Sequence, residues 1–364
     1  MTGFSRSLSP APVGSAADKQ VVSALRRLLA HRELLLVALT LAVFFVTFAE
    51  NSGFGTSGNI SFLLADAMPL AILAVGQTIV CIVRGIDLSV ASTLGVAAVS
   101  TGFLAQDHNA SVWLMLPLAL AIGICLGLVN GLFVVLARIP PIIVTLGTLI
   151  VYQGIQLLIC GSQTVVTVPA FYIKLGNRDL FSDIPYMLIP GLVVTVVMAI
   201  LLRRSSWGRS LYAVGSNAEA AFRAGIRVNA VLVSAYTVCG MLAGLGGLAF
   251  LVHYDSANGQ SGIETNIQLW SIAAALIGGT TLTGGKGGVV GSFLAALFLE
   301  VTIEAVIVLG VPQVWDSAAV GILLLAAILV DRYQTSDVSL RQALAGRLGR
   351  RAALEHGRGR GSRR

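Results

Sequence analysis

Charge is what this chain lacks most. Asp, Glu, Lys and Arg make up 11% of its 364 residues, whereas hydrophobic residues make up 56%. A water-soluble domain needs far more charge to cover its surface, so this composition excludes one. The chain also holds only 4 cysteines and 4 histidines. Cys81, Cys125, Cys160 and Cys239 fall within or at the edge of apolar runs and show no paired spacing. That pattern excludes a disulfide framework and a sequence-local zinc site. No His-Glu-x-x-His or Gly-x-Ser-x-Gly occurs, and nothing recommends hydrolytic chemistry. The alternation over about ten residues that marks a transmembrane barrel is missing as well.

What is present is a succession of long apolar runs, with a mean hydropathy of +0.86. They predict spans at 33–49, 60–83, 89–105, 112–136, 141–160, 186–202, 230–252, 266–283, 289–309 and 315–330. The chain reads as an all-α polytopic membrane protein with about ten transmembrane helices. An even count places both termini on one side, and the basic residues choose the side. Arg6, Lys19, Arg26, Arg27 and Arg32 precede the first run; Arg84, Arg138, Arg203, Arg204, Arg209, Arg223, Arg227 and Lys286 fall in alternate loops. Nine arginines follow the last run, and only Lys174 and Arg178 lie opposite, so 22 of the 24 basic residues share one face. That face is expected to be cytoplasmic, with both termini in it. Such anchoring accounts for the net charge of +7 without a nucleic-acid partner. Residues 1–32 are expected to form a disordered cytoplasmic arm, 33–330 the transmembrane domain, and 331–364 a disordered basic tail against anionic lipid headgroups.

Glycines recur at four-residue spacing as Gly123, Gly127 and Gly131, then Gly240 and Gly244. In lipid such stripes let helix backbones approach closely, either as fixed packing or as a sliding surface. The turn Arg84-Gly85-Ile86-Asp87-Leu88-Ser89 leaves almost no room for a loop, and Asp87 or Ser89 can cap the helix after it. Gly278 to Gly288 invites a phosphate-loop reading, but Thr280 stands where the first glycine is needed and Gly287 replaces the Ser or Thr after Lys286. A tight turn is expected there, and no ATPase in this chain. Ionisable groups inside the spans are Asp66, Glu300 and Glu304, with Gln77, Asn130 and Gln153 as neutral polar positions. Glu300 and Glu304 share a helix face, which leaves open an ion site or a solvated pair.

The loop 203–229 is the longest cytoplasmic connection. Ser216 or Asn217 can cap a short helix, Glu219 suits its first turn, Arg223 pairs with Glu219 at four residues, and Gly225 stops it. About seven residues cannot hold a helix alone in water. Ala220, Ala221 and Ala224 give it a low profile with Phe222 as a single apolar knob, a shape suited to another protein's groove, or to packing on its own loop.

Glu219-Ala220-Ala221, with Gly225 four residues on, resembles the Glu-Ala-Ala coupling motif of binding-protein-dependent ABC transporter permeases. Gly85-Ile86-Asp87-Leu88-Ser89-Val90, Asn130-Gly131 and Arg138 to Thr148 resemble the ribose/xylose/arabinose permease family, as do Gly208 to Gly215 and Ile272 to Thr280. The similarity runs in order over residues 60–330. It departs at Arg84, where the family has glycine, at Trp270, where an acidic residue is common, and at Glu304, which aligns with an asparagine.

The resemblance implies a transport subunit rather than an enzyme, in a bacterial inner membrane, importing a monosaccharide or related polyol. It implies a cytoplasmic ABC ATPase carrying ATP and Mg, a periplasmic sugar-binding protein and a second permease subunit, with no cofactor on this chain. Gly208, Arg209, Gly215, Asn217, Glu219, Ala220, Ala221, Phe222 and Gly225 are then expected to couple to the ATPase. Gln77, Asn130, Thr145, Gln153, Trp270, Glu300 and Glu304 are candidates for the translocation path. Alternatives are a branched-chain amino-acid or nucleoside permease, and an ion-coupled secondary transporter using Glu300 and Glu304.

Overall fold

A computed structural model describes residues 32–106, 112–161, 163–166, 168–177, 179–181 and 184–310, with isolated positions between 315 and 325. The arm before residue 32, the basic tail and most of segment 315–330 lie outside the described residues. The helices are α1 (Arg32–Glu50), α2 (Ser57–Ile82), α3 (Val90–Gln106), α4 (Met115–Leu136), α5 (Pro141–Cys160), α6 (Ala170–Asn177) and α7 (Leu188–Arg204). After them come α8 (Ser206–Ser216), α9 (Ala218–Arg223), α10 (Val228–Tyr254), α11 (Ile267–Ile277) and α12 (Val289–Val308). A small antiparallel hairpin of β1 (Asp179–Phe181) and β2 (Ile184–Pro185) precedes α7.

The first nine predicted spans each contain a helix, but they differ in length. Among the described residues, α1, α2, α4, α5, α10 and α12 are long and apolar enough to cross a membrane, and α7 with α8 adds a seventh candidate bent by 73°. The predicted span 266–283 is cut short: α11 has 11 residues and ends at Ile277. At 1.5 Å per residue it reaches about 16 Å, roughly half of the hydrocarbon core. Gly279, at φ 99, turns the chain there into the expected tight loop.

The core lies around α2 and α10. Leu73 and Ile79 of α2 and Tyr236 and Leu242 of α10 are fully buried. The glycine stripes meet across α4 and α10, where a Cβ on Gly240 would stand 2.4 Å from Gly123 O and one on Gly244 2.1 Å from Ala119 O. Only hydrogen at these positions permits the approach. Thr78 and Ser292 hydroxyls join α2 to α12 at 2.6 Å in the buried interior. By contrast α1 leaves Phe45 60% and Val46 64% exposed, as lipid-facing residues should be.

Candidate functional site

The expected site residues, Gln153 apart, fall in three regions. The first is the turn between α2 and α3. Arg84 adopts φ 66, the left-handed region that β-carbons disfavour. Asp87 is buried, and its Oδ1 accepts from Ser89 N at 2.9 Å and Ser89 Oγ at 2.7 Å. The carboxylate is thus committed to Ser89. Asn130 Nδ2 donates to the same Ser89 hydroxyl at 2.7 Å, and Tyr152 OH lies 3.3 Å from Asn130 Oδ1 while donating to Leu126 O at 2.9 Å. Thr145 Oγ1 reaches Ile86 O at 3.1 Å. The Gln77 amide brackets the Asp87 backbone, its nitrogen donating to Asp87 O at 3.2 Å and its oxygen accepting from Asp87 N at 3.1 Å. Three of the seven expected path residues, Gln77, Asn130 and Thr145, therefore converge on this turn. Burial pushes the Asp87 carboxyl up to about 6, with the Ser89 and Asn130 hydrogen bonds opposing it.

The second region is the loop 203–229, which contains a helix that sequence reading missed. Ser205 ends α7 and caps α8, accepting from Gly208 N at 3.0 Å. Gly208 has no room for a Cβ, which would lie 2.3 Å from Leu202 O. Arg209 is exposed, with Nη1 3.3 Å from Arg204 O. Trp207 Nε1 donates to Ser234 Oγ at 2.8 Å and fixes α8 against α10. Gly215 presses on the end of α2, where a Cβ would fall 1.8 Å from Ile82 O. Arg84 then fastens the junction, donating from Nε to Gly215 O and from Nη2 to Ser216 O, both at 2.6 Å.

The expected short helix is present as α9, directly after α8. Asn217 closes α8 and opens α9, its Oδ1 accepting from Ala220 N at 3.0 Å. Glu219 and Arg223 form the expected ion pair on an exposed surface. Ala221 is buried and Ala220 exposed, while Phe222 projects 71% exposed. Gly225, at φ 83, ends the helix.

The third region is a cavity of about 570 Å³ near the opposite ends of the helices. Trp270, Glu300 and Glu304 line it together, joined by Asp66, Tyr254 and Glu264. Tyr254 OH donates to Asp66 Oδ1, and Glu300 lines the same cavity. His253 Nε2 stands 3.1 Å from Asp66 Oδ1, at ion-pair distance but outside hydrogen-bond alignment. Sequence reading had flagged Asp66 as an ionisable residue in a span, without placing it in the path. It missed His253, Tyr254 and Glu264, whose only signal was polarity at a predicted span's end. Gln153 stands apart, with Nε2 3.3 Å from Gln260 Oε1.

The chain is similar to known proteins over most of its length. The model of a family described as the permease component of the branched-chain amino acid transport system matches residues 59–328. The autoinducer 2 import system permease protein LsrC of Klebsiella pneumoniae subsp. pneumoniae is 34% identical over 323 residues, covering 88% of this chain and 90% of its own length. The protein of the same name from an Enterobacter species is 34% identical over 320 residues, with the same coverage of each chain. That of Yersinia enterocolitica is 34% identical over 271 residues, covering 74% of each. No solved structure matches the chain. With most of its length matched, and with apolar helices long enough to cross a bilayer, the chain belongs to this permease family and is a multi-pass transport protein of the bacterial inner membrane.

Proposed function

We propose that this chain is the membrane-spanning subunit of an ATP-driven, binding-protein-dependent importer for a small neutral polyhydroxylated molecule, a monosaccharide or related polyol. The observation that carries the cargo class is the lining of the large cavity. It presents four carboxyl groups, Asp66, Glu264, Glu300 and Glu304, beside Trp270 and Tyr254, and among the described residues no Lys or Arg. Carboxylates accept hydrogen bonds from hydroxyls, and an indole face suits the C–H surface of a sugar. An amino acid would match this lining only at its ammonium, and its carboxylate would find no cationic partner among the lining residues. Autoinducer 2, the cargo in the relatives' names, belongs among the first molecules to assay.

In this reading α8 and α9 form the contact with a cytoplasmic ATPase, which binds ATP and Mg while this chain holds no cofactor. Phe222 is the knob, Asn217, Glu219, Ala220, Ala221 and Gly225 shape the helix, and Gly208, Arg209 and Gly215 set the lever behind it. A second permease subunit completes the pore, and a periplasmic binding protein delivers cargo to the face bearing the acidic cavity. Ten spans with both termini cytoplasmic agree with the charge distribution. The cytoplasmic assignment also fits the meeting of Arg84, Gly215 and the Gly284–Gly285 turn, where Gly285 N donates to Ile82 O at 2.8 Å.

Reconstitution with the ATPase and binding protein tests this. Uptake of a neutral sugar or autoinducer 2 should require ATP and the binding protein. Uptake of leucine in preference would move the cargo to amino acids. Uptake by this chain alone under a proton gradient would instead favour an ion-coupled carrier using Glu300 and Glu304.

A further inference from the structure

A second cavity, of about 350 Å³, lies at the other end of the bundle between α1, α7 and α12. Its wall carries two guanidinium groups, Arg32 at the start of α1 and Arg203 in the last turn of α7, and one carboxylate, Glu33. Arg32 lies over the Gly279 backbone, where a Cβ would come within 3.0 Å of Nη1. Tyr212 forms another part of the wall, donating to Gly287 O at 2.8 Å. Burial pushes its hydroxyl up, and the charge of Arg203 is near enough to oppose that shift. The remaining wall includes Val289 and Val290, in the first turn of α12, a helix without a side-chain cap. Their N–H groups have no intrahelical acceptor, so the positive balance of the pocket extends to its backbone.

The surroundings narrow the ligand. Leu34 of α1 is 52% exposed and Ile200 of α7 53% exposed, so both helices present apolar surface to lipid just beyond the arginines. The pocket therefore stands at headgroup depth on the face that carries most of the basic residues. Two forked donors suit a ligand with several anionic oxygens on one centre, and basic pockets between transmembrane helices favour lipid phosphates. The volume exceeds what a bare phosphate needs and leaves room for a glycerol backbone.

We infer that Arg32 and Arg203 bind a phosphate group in this pocket, carried by an anionic phospholipid of the cytoplasmic leaflet or by a soluble phosphate compound. The site is separate from the acidic cavity and does not depend on the identity of the cargo.

Native mass spectrometry of the full-length protein from nanodiscs of phosphatidylethanolamine, with or without phosphatidylglycerol, reads lipid retention directly. Wild type should retain phosphatidylglycerol, with about fivefold weaker retention for each of Arg32→Gln and Arg203→Gln. Glu33→Gln should retain it more tightly, a change that damaged folding would not produce. A thermal shift with inorganic phosphate forms the other arm. Stabilisation by phosphate that both arginine variants lose, without lipid retention, would support the site with a soluble ligand. Equal lipid retention in wild type and all three variants, with no arginine-dependent phosphate shift, would overturn the inference.

Discussion

Arg84 reaches from the end of α2 to the last turn of α8, its Nε bonded to Gly215 O at 2.6 Å. The same residue begins the turn whose Asp87 is buried among Gln77, Ser89 and Asn130. One side chain thus links the exposed α8–α9 segment to the polar interior. Its left-handed backbone costs about 1–3 kcal/mol, a strain that glycine would relieve. Arg84→Gly should therefore keep near-native thermal stability, because relieved strain offsets the lost hydrogen bonds. It should lower the cargo moved per ATP hydrolysed in the reconstituted complex. An unchanged transport ratio would remove Arg84 from the transmission path.

Asn217 offers a sharper test of the proposed coupling contact. Asn217→Ala removes the cap on Ala220 N, a loss of about 1 kcal/mol that a six-residue helix cannot absorb. ATP hydrolysis should then lose its dependence on loaded binding protein. Asn217→Asp restores an N-cap acceptor and should restore the dependence. If both variants behave as wild type, α9 is not the coupling contact.

The glycine interface should tolerate no side chain. Gly240→Ala places a methyl group 2.4 Å from Gly123 O and 2.6 Å from Gly127 Cα, both backbone atoms that can move only with α4. Overpacking of this kind costs about 1–3 kcal/mol, so the melting temperature in detergent should fall. Gly154→Ala, where nothing lies within 4 Å, is the matched control and should be neutral or slightly stabilising. Equal melting temperatures for the two variants would argue that the helices slide apart freely.

Much of this arrangement was legible in the sequence, and what was not has physical reasons. Apolar runs located the helices because burial in lipid needs little beyond length and hydropathy. The cap at Asn217 and the stop at Gly225 were readable because both depend on neighbouring residues alone. Helix α8 was not, because its serines, glycines and Arg209 disguise a periodic pattern between two caps. The early end of α11 was hidden because the stretch after Gly278, through Thr280, Thr281 and Leu282, carries no charge to mark a break. The gathering of Gln77, Asn130 and Thr145 around one turn was also invisible, since it joins residues far apart in the chain. Their polarity inside spans marked them as special, but could not separate a pore lining from a buried brace.

Asp87 ties that brace to pH. Its carboxyl titrates near 6 in the folded protein, above the ordinary 3.8, because burial disfavours its charge. Between these values the native state holds the proton more often than the unfolded state. Stability should thus fall as pH rises from about 4 to about 6 and level off above, by at most about 3 kcal/mol. Asp87→Asn keeps an acceptor for Ser89 without the charge, and its melting temperature should vary less across that window. A slope equal to wild type would show that other groups govern the dependence.

The acidic cavity makes the last prediction, on cargo. Glu304 lines it beside Trp270, without a basic lining residue among those described. Glu304→Gln preserves an acceptor and volume, so uptake of a neutral sugar at saturating loaded binding protein should fall only modestly. Trp270→Ala removes the apolar platform and should reduce the maximal rate by roughly tenfold, the effect of losing about 1.4 kcal/mol in the step that passes cargo through. Glu304→Lys brings a cation beside Asp66 and Glu300, where it should pair with them and close the cavity to cargo. Cargo affinity of the separate binding protein should stay constant in all three, which isolates the membrane step. Wild-type uptake in Trp270→Ala and Glu304→Lys together would place the path elsewhere in the bundle.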